Sequence, residues 1–482
     1  MSDFSFYWHD YETFGRVPRR DRPAQFAGVR TDADLNEIGE PLMVYCRPAP
    51  DFLPDPESCL LTGILPQTCL AQGVAEHEFA DAIERELARP GTVGLGYNTI
   101  RFDDEVTRFL FWRNLLDPYA REWQNDCGRW DLLDVVRCAY ALRPEGIEWP
   151  RHEDGRPSFK LEHLTQANGL AHEAAHDALS DVRATIALAR LLKTAQPKLF
   201  EFCLKLRKKD AVWAEIGVGK PFLHISGMYG PERGCIALVW PLAPHPTNKN
   251  ELIVWDLATD PAELLQLNAE QIRGRMFVKQ DDLPEGVGRL PIKTIHINKS
   301  PVVIGNLKTL SPAMAERWGL DLAQGLAHAR QLAEQGRLLD GLWGDVFRRD
   351  ALPPQDVDED LYGGFLSPDD RRALQRVRGL SPEQLSQRAA EGKLSFADER
   401  LDELVFRWRA RNFPASLTAE EQQRWAALRE ARLLQGAGGA QTVAAFFERI
   451  DQLSETLAED DERGQEILGA LYDYAEQIAP AA

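Results

Sequence analysis

The run Phe4-Ser5-Phe6-Tyr7-Trp8 is aromatic and strand-like, and it leads without a break into His9-Asp10-Tyr11-Glu12-Thr13-Phe14-Gly15. Acids at the end of so apolar a strand need a reason to be there. Alternate residues of a strand point to one face, so Asp10 and Glu12 converge on a single point. Two carboxylates there repel unless a hard cation lies between them, and Mg²⁺ and Mn²⁺, which prefer oxygen ligands, are the natural occupants. The alternative is a pair of solvated surface acids, because acid-x-acid triplets recur by chance in a chain with 75 acidic residues.

The rest of the first third has an α/β pattern. Residues 24–31 and 41–46 are expected as strands around a polar turn at 32–39. Residues 76–89 are expected as a helix, 92–97 as a buried strand and 131–142 as a helix. Residues 177–194 are expected as a strong helix, with Asp177 near its start and Lys193 near its end. The character then changes. Between 216 and 303 short β-like runs (FLHIS, CIALVW, ELIVWDL, RMFV, TIHI) are separated by Gly, Pro and Asn, which predicts a small antiparallel β domain or barrel. Residues 351–364 have linker composition, and the chain from about Ser367 to Ile478 is mostly amphipathic helix. The expected division is 1–196, 197–350, a linker at 351–364, and 365–482. For 482 residues, at roughly 100–200 per domain, two to four domains are expected, and three parts fall in that range.

Three further residues complete a set of acids and a base. Asp103 and Asp104 follow a predicted strand and the loop Asn98-Thr99-Ile100-Arg101-Phe102. One of them is explained equally well as an N-cap for the helix that follows. His176 and Asp181 are five residues apart. They would not share a face of one continuous helix, but they meet at a cleft if His176 precedes the helix. Neutral histidine is suited to deprotonating water near pH 7, and a capping or surface histidine is the alternative. Taken in order, Asp10, Glu12, Asp103, His176 and Asp181 make a plausible two-metal site for phosphodiester hydrolysis.

Composition narrows the surroundings. The net charge of −19 opposes a generally basic nucleic-acid-binding surface. The excess is local, however: residues 1–195 hold 32 acids against 21 bases, whereas 196–358 hold 20 of each. A local basic groove with strong salt sensitivity is compatible with that distribution. The seven cysteines are widely spaced with no Cys-x-x-Cys, so a disulfide framework or structural zinc site is not expected. No apolar run approaches ~18 residues and no secretory signal is evident, so a cytoplasmic, non-membrane protein is expected.

The ordered set Asp10, Glu12, Asp103, His176, Asp181 resembles the DEDDh exonucleases. Longer blocks resemble the bacterial exodeoxyribonuclease I family in particular: HDYETFG (9–15), DRPAQFAGVRTD (21–32), GYNTIRFDDEVTRFLFWRN (96–114), RWDLLDV (129–135), YALRPEGIEWP (140–150), AHDALSDV (175–182), HINKSPV (296–302) and FRWRARNFP (406–414). The resemblance implies an α/β ribonuclease-H-like exonuclease domain, an SH3-like β domain and an α-helical C-terminal domain. It implies processive 3′→5′ degradation of single-stranded DNA to 5′-mononucleotides, in repair and recombination, with two Mg²⁺ ions that Mn²⁺ can replace. It assigns metal binding to Asp10, Glu12, Asp103 and Asp181 and the general base to His176. Glu12, Thr13 and Phe14 match positions that contact the 3′ nucleotide. Lys160 stands where the family has Arg, which keeps the charge but loses the bidentate fork.

Further strand contacts are expected from cations and stacking aromatics: Arg108, Tyr119, Trp123 and Arg137 in the first domain, and Asn250, Asn298 and Lys299 in the second. Core packing is the alternative for Tyr119 and Trp123. Arg143 and Lys220 match a basic pocket for the acidic C-terminal tail of single-stranded-DNA-binding protein, with solvated charge as the alternative. A monomer is expected. The tail beyond about Gln435 departs from the family pattern, and 203–219 match it weakly. Two rival functions are an RNA-directed exonuclease of the same fold, usually much shorter, and a non-catalytic DNA-binding module, which would have lost one of the cluster acids.

Overall fold

The structure is a computed structural model and describes residues 4–171, 177–349, 355–458 and 460–480. The first strand sets the frame. β1 (Ser5–Thr13) runs through both acids instead of stopping at Trp8. It continues because β2 (Pro23–Thr31) pairs with it antiparallel as far as Glu12↔Gln25, while the parallel ladder to β4 (Thr92–Leu95) ends at Trp8↔Leu95. With β3 (Leu42–Tyr45) and β5 (Gly128–Arg129) the sheet order is β3-β2-β1-β4-β5, antiparallel on one side of β1 and parallel on the other.

Seven helices accompany this sheet: α1 (Pro56–Thr62), α2 (Pro66–Gln72), α3 (Glu76–Leu87), α4 (Asp103–Arg113), α5 (Leu132–Leu142), α6 (Leu161–Ala167) and α7 (Ala178–Ala195). α7 packs on β1 and β2. This is the α/β unit that the sequence predicts.

The second unit is a five-stranded antiparallel sheet in the order β10-β6-β7-β8-β9, formed by β6 (Phe222–Ile225), β7 (Ile236–Pro244), β8 (Glu251–Asp256), β9 (Ile292–His296) and β10 (Val302–Ile304). The run RMFV, expected as a strand, is instead the end of helix Ala269–Met276. An Asn268–Gln271 capping box starts that helix and overrides the β-like residues at its end. One continuous core joins the two units, with Trp8 and Trp130 on one side and Ile236 and Trp255 on the other. Trp318 Nε1 donates to the Ala141 carbonyl at 2.9 Å across the same boundary.

The third unit is helical, as expected. Its tail forms helices Val443–Thr456 and Glu462–Ile478, which pack on each other and against α1 and α2. Gly436 ends the preceding helix in the left-handed region (φ +72°), where a side chain would be strained. In the described part of 351–364, Val357, Asp358 and Leu361 are buried, and the Val357 carbonyl accepts from Trp112 Nε1 at 2.8 Å. That stretch is packed against α4, not suspended between domains. Among the described residues no helix is long and apolar enough to cross a membrane.

Candidate active site

Asp10 and Glu12 stand on one face of β1, in register with Ala27 and Gln25 of β2. Opposite them α7 presents Asp181 from its first turn. Carboxylate oxygens of Asp10, Glu12 and Asp181 lie within 4.8 Å of one another. Asp103 stands beside this trio and outside it. Its Oδ1 accepts the backbone N–H of Tyr11, the residue between the two strand acids, at 3.1 Å. Gly96 allows the chain to pass here: a Cβ on it would lie 2.5 Å from the His9 carbonyl. The loop that carries Asp103 therefore stays close to β1.

The electrostatics are those of a site short of positive charge. Burial pushes the Asp10 carboxyl well above the usual range, and Asp103, Asp181 and Asp177 push it further. Burial, then Asp10, Asp181 and Asp177, push Glu12 up to about 9. Asp103 is raised by burial and by Asp104. Among the described residues the donor set is all carboxylate oxygen, in a half-buried cleft. This suits a hard divalent cation.

Asp104 is the opposite case. Burial works against its charge, yet Arg121 at 2.7 Å and Arg129 at 3.1 Å hold it well below the usual carboxylate range. Neither acid caps α4. Phe102 occupies that position and makes no side-chain bond. Asp103 serves the acidic cleft and Asp104 fixes two buried arginines.

The remaining predicted residues are spread more widely. His176 lies outside the described residues. Thr13 ends β1 and its Oγ1 donates to the Gly15 carbonyl at 2.6 Å. Phe14 is buried in a core shared with Phe52 of the first unit and Phe446 of the third, so its ring is not presented to a ligand. Lys160 is exposed beside Glu162, at 3.3 Å.

Arg108 is buried and fully engaged. Glu122 binds it through Nε at 2.7 Å and Nη2 at 2.9 Å, and Glu105 through Nη1 at 2.8 Å. Its guanidinium covers the half-buried Tyr119 ring. Trp123 is 65% exposed, which removes core packing as an explanation for it. Arg137 pairs with Asp134 at 2.7 Å. Asn250 Oδ1 accepts from Lys209 at 2.8 Å, the Asn298 carbonyl accepts from Arg129 at 3.2 Å, and Lys299 approaches Glu105 at 3.6 Å. Arg143 donates to the Thr309 carbonyl at 3.2 Å across the boundary with the second unit, and Lys220 is exposed.

The sequence reading missed two features. Asp177, expected at the start of α7 and capping it through the Ser180 N–H at 3.1 Å, also acts electrostatically on Asp10 and Glu12, which was not foreseen; its place directly after His176 was the available signal. Tyr362 and Phe365 are exposed aromatics, at 57% and 89%. With Tyr119 and Trp123, Phe365 lines a cleft of about 290 Å³. Tyr362 also bonds Arg108 at 3.1 Å and Glu105, so the third unit meets α4 two residues from Asp103.

Comparison with known proteins accounts for all three units. Family models match as an exonuclease over residues 7–189, an exonuclease I SH3-like domain over 207–349 and an exonuclease I C-terminal domain over 355–478. The chain is 45% identical over 481 residues to exodeoxyribonuclease I of Escherichia coli, covering 98% of each. The structure superposes on E. coli exonuclease I in complex with a dA16 oligonucleotide (TM-score 0.93, 44% identity, 99% and 100% coverage). It superposes equally on a moderately thermophilic exonuclease I from Methylocaldum szegediense (TM-score 0.93, 47% identity, 98% and 99% coverage). Two further structures match over 99% of this chain and 100% of theirs. One is a zinc-bound form of an exonuclease I–single-stranded DNA complex (TM-score 0.92, 44% identity), and the other is an SSB/exonuclease I structure with an inhibitor (TM-score 0.89, 43% identity). With its whole length matched in this way, the chain belongs to the exodeoxyribonuclease I family.

Proposed function

We infer that this chain is a divalent-metal-dependent exodeoxyribonuclease that degrades single-stranded DNA from its 3′ end, releasing 5′-mononucleotides, in DNA repair and recombination in the bacterial cytosol. The observation that carries the reading is the convergence of Asp10, Glu12 and Asp181 within 4.8 Å on a family-wide match. Those three would hold the cation, with Asp103 beside them, and the cations are two Mg²⁺ ions that Mn²⁺ can replace. When bound, such ions supply Lewis-acid stabilisation of the charge that develops on the phosphodiester oxygens. His176 is assigned the proton of the attacking water, a task for which a neutral imidazole is matched near pH 7.

Lys160, Arg137, Asn250, Asn298 and Lys299 are assigned to the strand, with Trp123 and Phe365 as exposed surfaces on which bases stack. Arg108 acts from behind, by holding Tyr119 and Tyr362 in place. Contacts of Lys299 and Tyr362 with Glu105 of α4 join the second and third units beside the cleft, which supports processive action, and the acting species is assigned as a monomer. Arg143 and Lys220 are assigned to the acidic tail of single-stranded-DNA-binding protein.

Incubation with 5′-labelled single-stranded DNA, with and without EDTA, tests the reading. The expected result is a ladder shortening from the 3′ end, mononucleotide products, and no cleavage in EDTA. Equal or faster cleavage of matched RNA would overturn the DNA assignment, and metal-independent binding without mononucleotide release would overturn the enzymatic one.

A further inference from the structure

Glu12, Gln25 and Tyr45 are in register across β1, β2 and β3. Their side chains therefore form one row from the acidic cleft to the sheet edge. Gln25, in the middle of the row, is 1% exposed. Its Oε1 accepts the backbone N–H of Ala178 at 3.3 Å. Its amide nitrogen lies 3.6 Å from Met43 Sδ, and Tyr45 is its cross-strand neighbour on β3.

Ala178 is the first residue of α7 and is fully buried. The first N–H groups of a helix have no partner within it, and water cannot reach this one. Two side chains share the task of satisfying the start of α7. Asp177 takes the Ser180 N–H, and Gln25, from a different element, takes that of Ala178. Asp181 follows directly, its own N–H bonded to the Asp177 carbonyl at 3.0 Å. The hydrogen bond from Ala178 to Gln25 thus ties the helix that carries Asp181 to the strand beside Asp10 and Glu12.

We propose that Gln25 is a positioning residue for the hydrolytic reaction: by accepting the Ala178 N–H it fixes the start of α7 against the sheet and sets where Asp181 stands relative to Asp10 and Glu12. The proposal rests on the exonuclease reading above. It requires an acceptor at position 25, and neither bulk nor apolarity can substitute for one.

Two substitutions of similar size separate these possibilities. Gln25→Met keeps the volume and removes the acceptor. Gln25→Glu keeps an acceptor within reach of Ala178, and the Tyr45 hydroxyl can donate to its carboxylate. With end-labelled single-stranded DNA and Mg²⁺, Gln25→Met is expected to lower kcat by about 10- to 100-fold, the scale of a small misplacement of reacting groups. Its KM, and its DNA affinity in EDTA, should stay near those of the unaltered enzyme. Amide exchange over residues 178–185 is expected to speed up in Gln25→Met, and in Gln25→Glu to stay near its original rate, with most of kcat recovered. Unchanged kcat and exchange in Gln25→Met would overturn the proposal while leaving the exonuclease reading intact. Equal losses in both variants would do the same, since bulk packing would then explain the position. If the unaltered chain released no mononucleotide, the exonuclease reading itself would fall.

Discussion

Two groups of buried acids in this molecule are handled in opposite ways. In the acidic cleft, Asp10, Glu12 and Asp181 face one another, and Glu12 is pushed up to about 9 by burial and by its neighbours. In the third unit, the segment Asp356–Glu359 also holds three acids, and each has arginines. Asp356 pairs with Arg407 at 2.7 Å and Arg432 at 2.8 Å. Asp358 pairs with Arg411 at 2.6 Å and Arg22 at 3.2 Å, and Glu359 with Arg19 at 3.1 Å and Arg20 at 3.2 Å. Burial opposes the charge on Asp358 as well, yet Arg411 and Arg22 hold it well below the usual range. A buried carboxylate is stable when its counter-charge is part of the chain. The difference marks the cleft as a candidate site for a cation from solution.

The comparison breaks most visibly if Asp10 is dispensable. Asp10→Ala is expected to reduce mononucleotide release by about 10²–10³-fold or more, on the scale seen when a charge-stabilising group is removed from an active site. Its melting temperature in EDTA should equal or exceed that of the unaltered chain, because a repulsive buried acid is gone. Near-normal turnover in Mg²⁺ would remove the cleft from the mechanism.

The converse change in the acidic segment should damage folding first. Arg411→Met leaves Asp51 and Asp358 buried without their main partner. The expected cost is about 3–5 kcal/mol of stability, read by urea denaturation. A cost below about 1 kcal/mol would mean that the paired acids are not held by their arginines.

Stability against pH should also separate the two regions. Glu12 binds its proton more tightly folded than unfolded, so in EDTA its contribution is favourable at low pH and is lost as the pH rises from the ordinary carboxylate range through about 9. Asp358, held low, contributes stability above the ordinary range, and that contribution is lost only in stronger acid. Calorimetry in EDTA from pH 5 to 9 should therefore show a falling melting temperature. Glu12→Gln should flatten the fall, and Mg²⁺ should offset it most at the alkaline end. A slope unaltered in Glu12→Gln would assign the fall to other groups.

Smaller effects sharpen the picture. Tyr362→Phe removes the hydroxyl that joins Glu105 and Arg108, and should shorten the tract degraded per binding event by a few-fold with little change in single-nucleotide kcat. A trap assay with excess unlabelled DNA reads this directly. Arg19→Ala should cost less than about 1 kcal/mol, because Arg19 is half exposed and Arg20 still pairs with Glu359.

Much of this arrangement could be read from the amino-acid order. The convergence of Asp10 and Glu12 follows from the two-residue period of a strand, and the helix from Ala178 follows from its composition and the Asp177 cap. The three-part organisation followed from the change in pattern after about Pro197 and again after 364. These features depend on neighbours a few residues apart, which a single sequence displays.

What the sequence could not settle depended on partners far along the chain. Asp103 and Asp104 are adjacent, yet Arg121 and Arg129 make one a paired structural acid and leave the other to the cleft. Phe14 looked available to a nucleotide until the third unit covered it. Residues 355–364 have the composition of a tether, but arginines from Arg22 to Arg432 gather on Asp356 and Asp358, and Asp358 is buried. Gln25 attracted no notice in sequence, because its role requires β2, β3 and the start of α7 to meet. The sequence by itself determined which acids are candidates for the chemistry and that Asp10 and Glu12 share one face of the first strand. Only the tertiary structure decided which acids are paired with arginines and which gather in a cleft suited to a cation, because burial and counter-charge are properties of distant residues brought together.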